Sequence, residues 1–160
     1  MKPFAIILIV LVIAALVGVG YLYVTSTLEV TFTSCVATDP LTREDYFASL
    51  KSSVDSGTFV GVRHTSGDLP APEDCLFYTW TVHLDNRTAL PADTVEIRVT
   101  PMSGDILVVG DPAEHTVPAR GEADLSVTAL TARSMHSVRE ATVTWYMWGL
   151  PFSARVTLGK

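Results

Sequence analysis

Residues 4–24, FAIILIVLVIAALVGVGYLYV, carry no charge and almost no polar side-chain atoms. As an α-helix, this run at 1.5 Å per residue extends about 31 Å, matching a bilayer hydrocarbon core of roughly 30 Å. A core helix of a soluble domain alternates apolar and polar faces, whereas this run is apolar all round. Tyr21 and Tyr23 stand at its far end, where amphipathic rings favour the headgroup zone. The sequence therefore predicts a transmembrane helix, through which the chain would partner the lipid bilayer at residues 4–24. A cleaved signal peptide is the competing reading, with Gly18-Val19-Gly20 or Val24-Thr25-Ser26 as the cleavage site. Its apolar region would ordinarily be shorter, about 7–15 residues. Cys35 lies too far downstream to be a lipidated N-terminus.

The run accounts for much of the chain's mean hydropathy of +0.34. It also sets the expected organisation: residues 1–3 as a cytoplasmic stub, 4–24 as the span, and 25–160 as one extracytoplasmic domain. Lys2 precedes the run and the next basic residue is Arg43, so the positive-inside rule places the N-terminus in the cytoplasm. The outer part holds ten basic against seventeen acidic residues, a formal charge of −7. Such a surface lacks the basic face that nucleic-acid backbones require.

The two cysteines, Cys35 and Cys75, both fall on the outer side. An even count in an oxidising compartment makes them a disulfide candidate, closing a loop worth roughly 3–4 kcal/mol in chain entropy. Two buried free thiols are the other reading. Neither has a neighbouring His or Cys, so no metal site is expected.

Beyond the anchor, alternation dominates. Leu28, Val30 and Phe32 alternate with Glu29, Thr31 and Thr33, predicting a strand over 25–38. Asp39-Pro40 reads as a helix start, Thr42 with Asp45 as a capping box, and Phe47, Leu50 and Val54 as one apolar face ending at Gly57. A short strand follows at 58–64. Leu76, Tyr78, Trp80, Val82 and Leu84 then give the clearest alternation in the chain. Further strands are read at 95–100, 106–110, 123–129, 141–147 and 152–158, with 111–122 as an irregular link. About eight strands with frequent turn signals predict a mainly β protein, an antiparallel sandwich with one short amphipathic helix.

No catalytic motif is assembled. The four histidines, His64, His83, His115 and His136, are scattered, and G-x-S-x-G is absent. His83 falls on the polar side of its strand. His136 and Glu140 are too few for a metal site. Asp105 and Asp111 flank ILVVG in turn contexts and would lie about 20 Å apart on an extended chain. Asn86-Arg87-Thr88 fits the N-glycosylation sequon in what reads as a surface turn. No cofactor is expected.

The segment YTWTVHLDNRTALPADTVEIRVTPMSGDILVVGDPAEHTVPARGEADLSVTALT carries a family likeness. From Leu76 to Leu158 the layout resembles the LEA14/water-stress (WHy) type of β-sandwich. It has a strand ending in an Asn turn at Asn86, a second strand, a Gly-containing hairpin, a short hydrophobic strand and an aliphatic strand. The family's Asn-Pro-Asn reads DNRT here. Immunoglobulin-like envelope modules, including the FxLYD type, share these features, and the whole chain is similar to small membrane-anchored proteins of Gram-positive bacteria. The resemblance implies an Ig-like or LEA14-like fold and a structural or binding role without catalytic residues.

In TWYMWGLPF, residues 144–152, phase assigns Trp145 and Phe152 to the core and Gly149-Leu150-Pro151 to a turn. Tyr146 and Trp148 fall on the other face. They are expected to lie under the helix of residues 39–56, or else to form an interaction surface. The reading as a whole is a non-catalytic envelope module that contacts another envelope component. Its alternative is a carrier of a small apolar or lipid ligand held within the sandwich.

Overall fold

The computed structural model of the protein describes residues 2–25, 27–111 and 113–159. Helix α1, Lys2–Thr25, contains the apolar run, and every described side chain from Pro3 onward is exposed. Its stretch Pro3–Thr25 is long and apolar enough to cross a membrane. At its end Thr25 turns its hydroxyl back onto the Tyr21 carbonyl at 2.9 Å.

The remainder is mainly β and forms two antiparallel sheets packed as a sandwich. The strands are β1 (Leu28–Thr38), β2 (Gly61–Arg63), β3 (Cys75–Asn86), β4 (Ala92–Val99), β5 (Asp105–Val109), β6 (His115–Val117), β7 (Glu122–Ala132), β8 (Arg139–Met147) and β9 (Leu150–Leu158). One sheet runs β1-β3-β7-β5-β2 and the other β6-β4-β8-β9. Among the described residues there are thus nine strands. The addition to the expected eight is β6, inside the segment read as an irregular link.

Strand phase builds the core. Tyr78, Trp80, Val82 and Leu84 of β3 meet Val95 and Val99 of β4 and Val143, Trp145 and Met147 of β8, with Leu125 and Val127 beside them. Each such aliphatic side chain contributes about 1.5–3 kcal/mol by leaving water. β1 keeps this phase through a bulge at Thr33: Phe32 pairs with Val82 and Ser34 with Thr81. The extra residue turns Cys35 inward, opposite Trp80.

The second face of β3 is apolar only where a helix covers it. Helix α2, Glu44–Asp55, lays Phe47, Leu50 and Val54 onto Cys75, Phe77, Ile106, Leu107 and Leu130. Farther along that face Thr79, Thr81 and His83 pair with Thr128, Ser126 and Asp124 of β7 and meet water. The helical segment starts as expected at Asp39, whose Oδ1 accepts from the Leu41 N–H at 3.0 Å, but its first turn, Pro40–Arg43, is a 3₁₀ turn. The expected capping box does not form; the Thr42 hydroxyl donates instead to the Asp39 carbonyl at 2.7 Å.

Two fully buried polar residues pin the ends. At the end nearest α1, Asn86 points its Nδ2 at the carbonyls of Leu90, Val117 and Pro118, while its Oδ1 accepts from the Thr88 N–H and hydroxyl. The sequon asparagine is therefore a buried strut and not the surface residue expected. At the far end Arg139 of β8 meets Asp105 of β5 across the sheets, Nη2 to Oδ1 at 2.6 Å and Nε to Oδ2 at 3.3 Å. Their side chains are 0% and 1% exposed.

Removing one partner strands a buried charge. Asp105→Asn and Arg139→Met should each lower unfolding free energy by about 3–5 kcal/mol in detergent-solubilised urea melts. The double variant Asp105→Leu/Arg139→Met should lose clearly less than the two single losses combined.

Candidate functional site

The sandwich is closed on one side, where β1 lies against β9. It is open on the other, where β2 and β5 face β4 and β6. There the sheets part into a cleft of about 590 Å³. That volume lies within the range of small-molecule pockets. The walls are Val95, Ile97 and Val99 of β4, Val108 of β5, and Leu125 and Val127 of β7. Glu96, Arg98, His64 and His115 stand among the polar residues that line it. The fold thus unites two histidines that the sequence leaves fifty-one positions apart.

On one lip of the cleft, β2 lies tight against β5. Gly61 has φ +145°, and a Cβ there would come within 2.3 Å of the Val108 carbonyl oxygen. Only glycine lets β2 approach β5 this closely. On the opposite lip, Asp111 accepts from the Ala113 N–H and contacts His115 Nε2, each at 2.9 Å. Those two bonds, the backbone one first, hold the Asp111 carboxyl below its ordinary range.

The candidate residues from the sequence fall elsewhere. Cys35 and Cys75 are both free, which corrects the disulfide expectation. The register explains why. Cys35 stands opposite Trp80, five residues along β3 from Cys75, a separation of about 16 Å. The two thiols also face opposite sides of the sheet, Cys35 toward the sandwich core and Cys75 toward α2. Bridging requires Cα atoms within about 7 Å. Burial pushes both thiols up, Cys75 to about 11, and its Sγ–H lies 3.0 Å from the Ala71 carbonyl.

Tyr146 and Trp148 are 44% and 41% exposed. The expectation that α2 covers them is overturned, because α2 packs on the outer face of the other sheet. Phe77 and Leu130 already satisfy its apolar residues there. The turn differs too. Met147 pairs with Leu150, leaving Trp148-Gly149 as a two-residue turn with φ of 55° and 74°. These are the values of a type I′ hairpin, whose first position favours Asn, Asp or Gly. Leu150 and Pro151, read as turn residues, open β9.

Trp145 is buried, as the phase of TWYMWGLPF predicts, and the half-buried Phe152 stacks on it at 6.2 Å. Phe152 in turn meets Tyr23 of α1, ring centroids 5.1 Å apart. A continuous run of rings joins the end of the apolar helix to the sandwich core. Trp145 Nε1 is buried with no hydrogen-bond partner among the described residues.

Asp105, which the sequence places in a turn, belongs to the buried pair with Arg139. Nothing local signals that pairing, since the residues are 34 positions apart. His136 gives its carbonyl to Arg139 Nη1 at 2.6 Å. Among the described residues, no group of three His, Cys, Asp or Glu is arranged to hold a metal ion.

His83 is on the exposed polar face, as expected, with Nδ1 2.8 Å from Asp124 Oδ1 and Nε2 3.7 Å from Glu122. The Asp124 bond, chiefly, raises its pKa. A raised histidine pKa adds stability that is complete below the unfolded value of about 6.5 and fades as pH rises through the folded value. In an NMR titration His83 should stay protonated to higher pH than a free histidine, and Asp124→Asn should return it toward that value.

No known family model matches this chain, and comparison with curated proteins likewise yields no match, so the geometry of these sites carries the functional reading.

Proposed function

We propose that the chain is a single-pass membrane protein that holds a non-catalytic binding module, residues 25–160, on the extracytoplasmic side. The observation that carries this is the uncharged stretch of α1 from Pro3 to Thr25, whose described side chains are exposed. An apolar helix left bare by its own domain is accounted for by lipid. Lys2 before the helix and no further basic residue until Arg43 support a cytoplasmic N-terminus. The module is Ig-like or LEA14-like in this reading, and its partner is another envelope component. The cleft supports a binding role, since Val95, Ile97, Val99, Val108, Leu125 and Val127 give it aliphatic walls.

A reporter enzyme that matures only outside the cytoplasm, fused after residue 160, should be active, and the fusion should stay in the membrane pellet after alkaline carbonate. A silent reporter would reverse the orientation, and release by carbonate would remove the anchor.

The cleft favours a second reading, a small apolar or lipid ligand between the sheets. Its volume and aliphatic walls fit such a ligand. Native mass spectrometry of the detergent-extracted full chain should then reveal a co-purified mass. Ile97→Phe, which fills the cleft from β4, should abolish that mass without unfolding the domain.

A further inference from the structure

We propose that the end of the β8–β9 hairpin is a second membrane contact, with Trp148, Tyr146 and Leu150 seated in the headgroup zone of the bilayer that α1 crosses. The inference rests on the reading of α1 as a membrane span and adds a fixed attitude of the sandwich on the bilayer.

Position is the first argument. Tyr23, two residues from the end of α1, packs its ring against Phe152 near the start of β9. Phe152 is three residues from Gly149, so the turn lies within about 10 Å of the helix exit along the strand. Tyr21 and Tyr23 are the rings that α1 itself offers to the interface. The linker is only residues 26–27, and β1 pairs with β3 from Leu28 onward. Arg87 of the β3–β4 turn clasps Glu29 at 2.6 Å. The sandwich is therefore held at this end close to the helix.

Composition is the second. Tyr146, Trp148 and Leu150 are 44%, 41% and 40% exposed, three large side chains within five positions. Trp and Tyr are the residues enriched at membrane interfaces, where one part of the ring is apolar and the other wet. Asp93 stands opposite Tyr146 in the β4–β8 register and is exposed. A carboxylate there sets the depth, since it belongs among headgroups and not in hydrocarbon.

Backbone strain is the third. Trp148 has φ 55°, a left-handed conformation costly for a large side chain, at a turn position that Gly or Asn would fill without cost. Folding alone does not select tryptophan there. Contact of the ring with lipid offsets the strain.

The test uses the full chain in nanodiscs of phosphatidylcholine brominated near the headgroup. Trp80 and Trp145 are buried, so the quencher reads Trp148. Emission should fall by on the order of a third, one tryptophan of three. Trp148→Gly should abolish the quenching while thermal stability holds or rises, because glycine suits the turn. Tyr146→Ser should weaken the quenching. Wild-type chain that assembles into nanodiscs but shows no bromolipid quenching, with Trp148 equally open to aqueous acrylamide in nanodisc and detergent, overturns the hairpin contact and leaves the anchor standing. Failure to assemble into nanodiscs at all overturns the anchor instead.

Discussion

The pairing of Arg139 with Asp105 is the constraint on which the two sheets depend. Each residue opens a strand, Arg139 for β8 and Asp105 for β5, and the strands belong to different sheets. Taking both charges from water costs several kcal/mol each, so the pair persists only because its polar atoms are satisfied. Arg139 Nη1 also donates to the carbonyls of His136 and Val138, at 2.6 and 2.8 Å. Asp105 Oδ2 also accepts from the Met102 N–H at 2.8 Å. The guanidinium lies 6.0 Å from the Trp80 ring, and Trp80 Nε1 donates to Ser137 at 2.8 Å. Tyr78 secures the same connection through Met135. Thus the core aromatics and the ion pair hold residues 135–139 together, and that connection brings the chain from one sheet into the other.

Asn86 does the corresponding work at the opposite end. It has no charge to desolvate, and its amide supplies both donors and an acceptor to a crowd of turn backbone groups. Between these two polar ends the sandwich is apolar. Registry of the sheets is set at the ends, because aliphatic packing alone tolerates sliding and hydrogen bonds of fixed geometry do not.

This division explains what could be read in advance. Strand phase is local, so the inward sets of β3, β4, β7 and β8 were legible from alternation, as was the apolar face of α2. Long-range pairing is not local. The Arg139–Asp105 contact and the opposed faces of Cys35 and Cys75 depend on register, and the bulge at Thr33 reverses the phase that the cysteine spacing suggests. β6 has three residues, too few to display a period. The β8–β9 turn was misplaced because Gly149 and Pro151 look like its centre. Pro151 is accepted within β9 since β9 is an edge strand. Of the candidate site, Tyr146 and Trp148 were legible as residues out of core phase. The cleft was not, because it is the space where two sheets fail to meet.

The closed and open sides of the sandwich then acquire different meanings. β1 and β9, which touch each other, are also the strands tied to α1, by chain continuity and by the Tyr23–Phe152 ring contact. On that side Phe152 also stacks on Trp145, so the contact with the helix continues into the core. β2 and β6 are the outer strands of the open side, three residues each, and β2 is fully exposed. Short edge strands hold fewer hydrogen bonds and open at lower cost than long ones. The cleft therefore sits beside the sandwich's shortest strands, away from the side tied to α1. A ligand or partner that parts β2 and β6 works against little backbone pairing, while the ion pair at one end and Asn86 at the other keep the sheets in register.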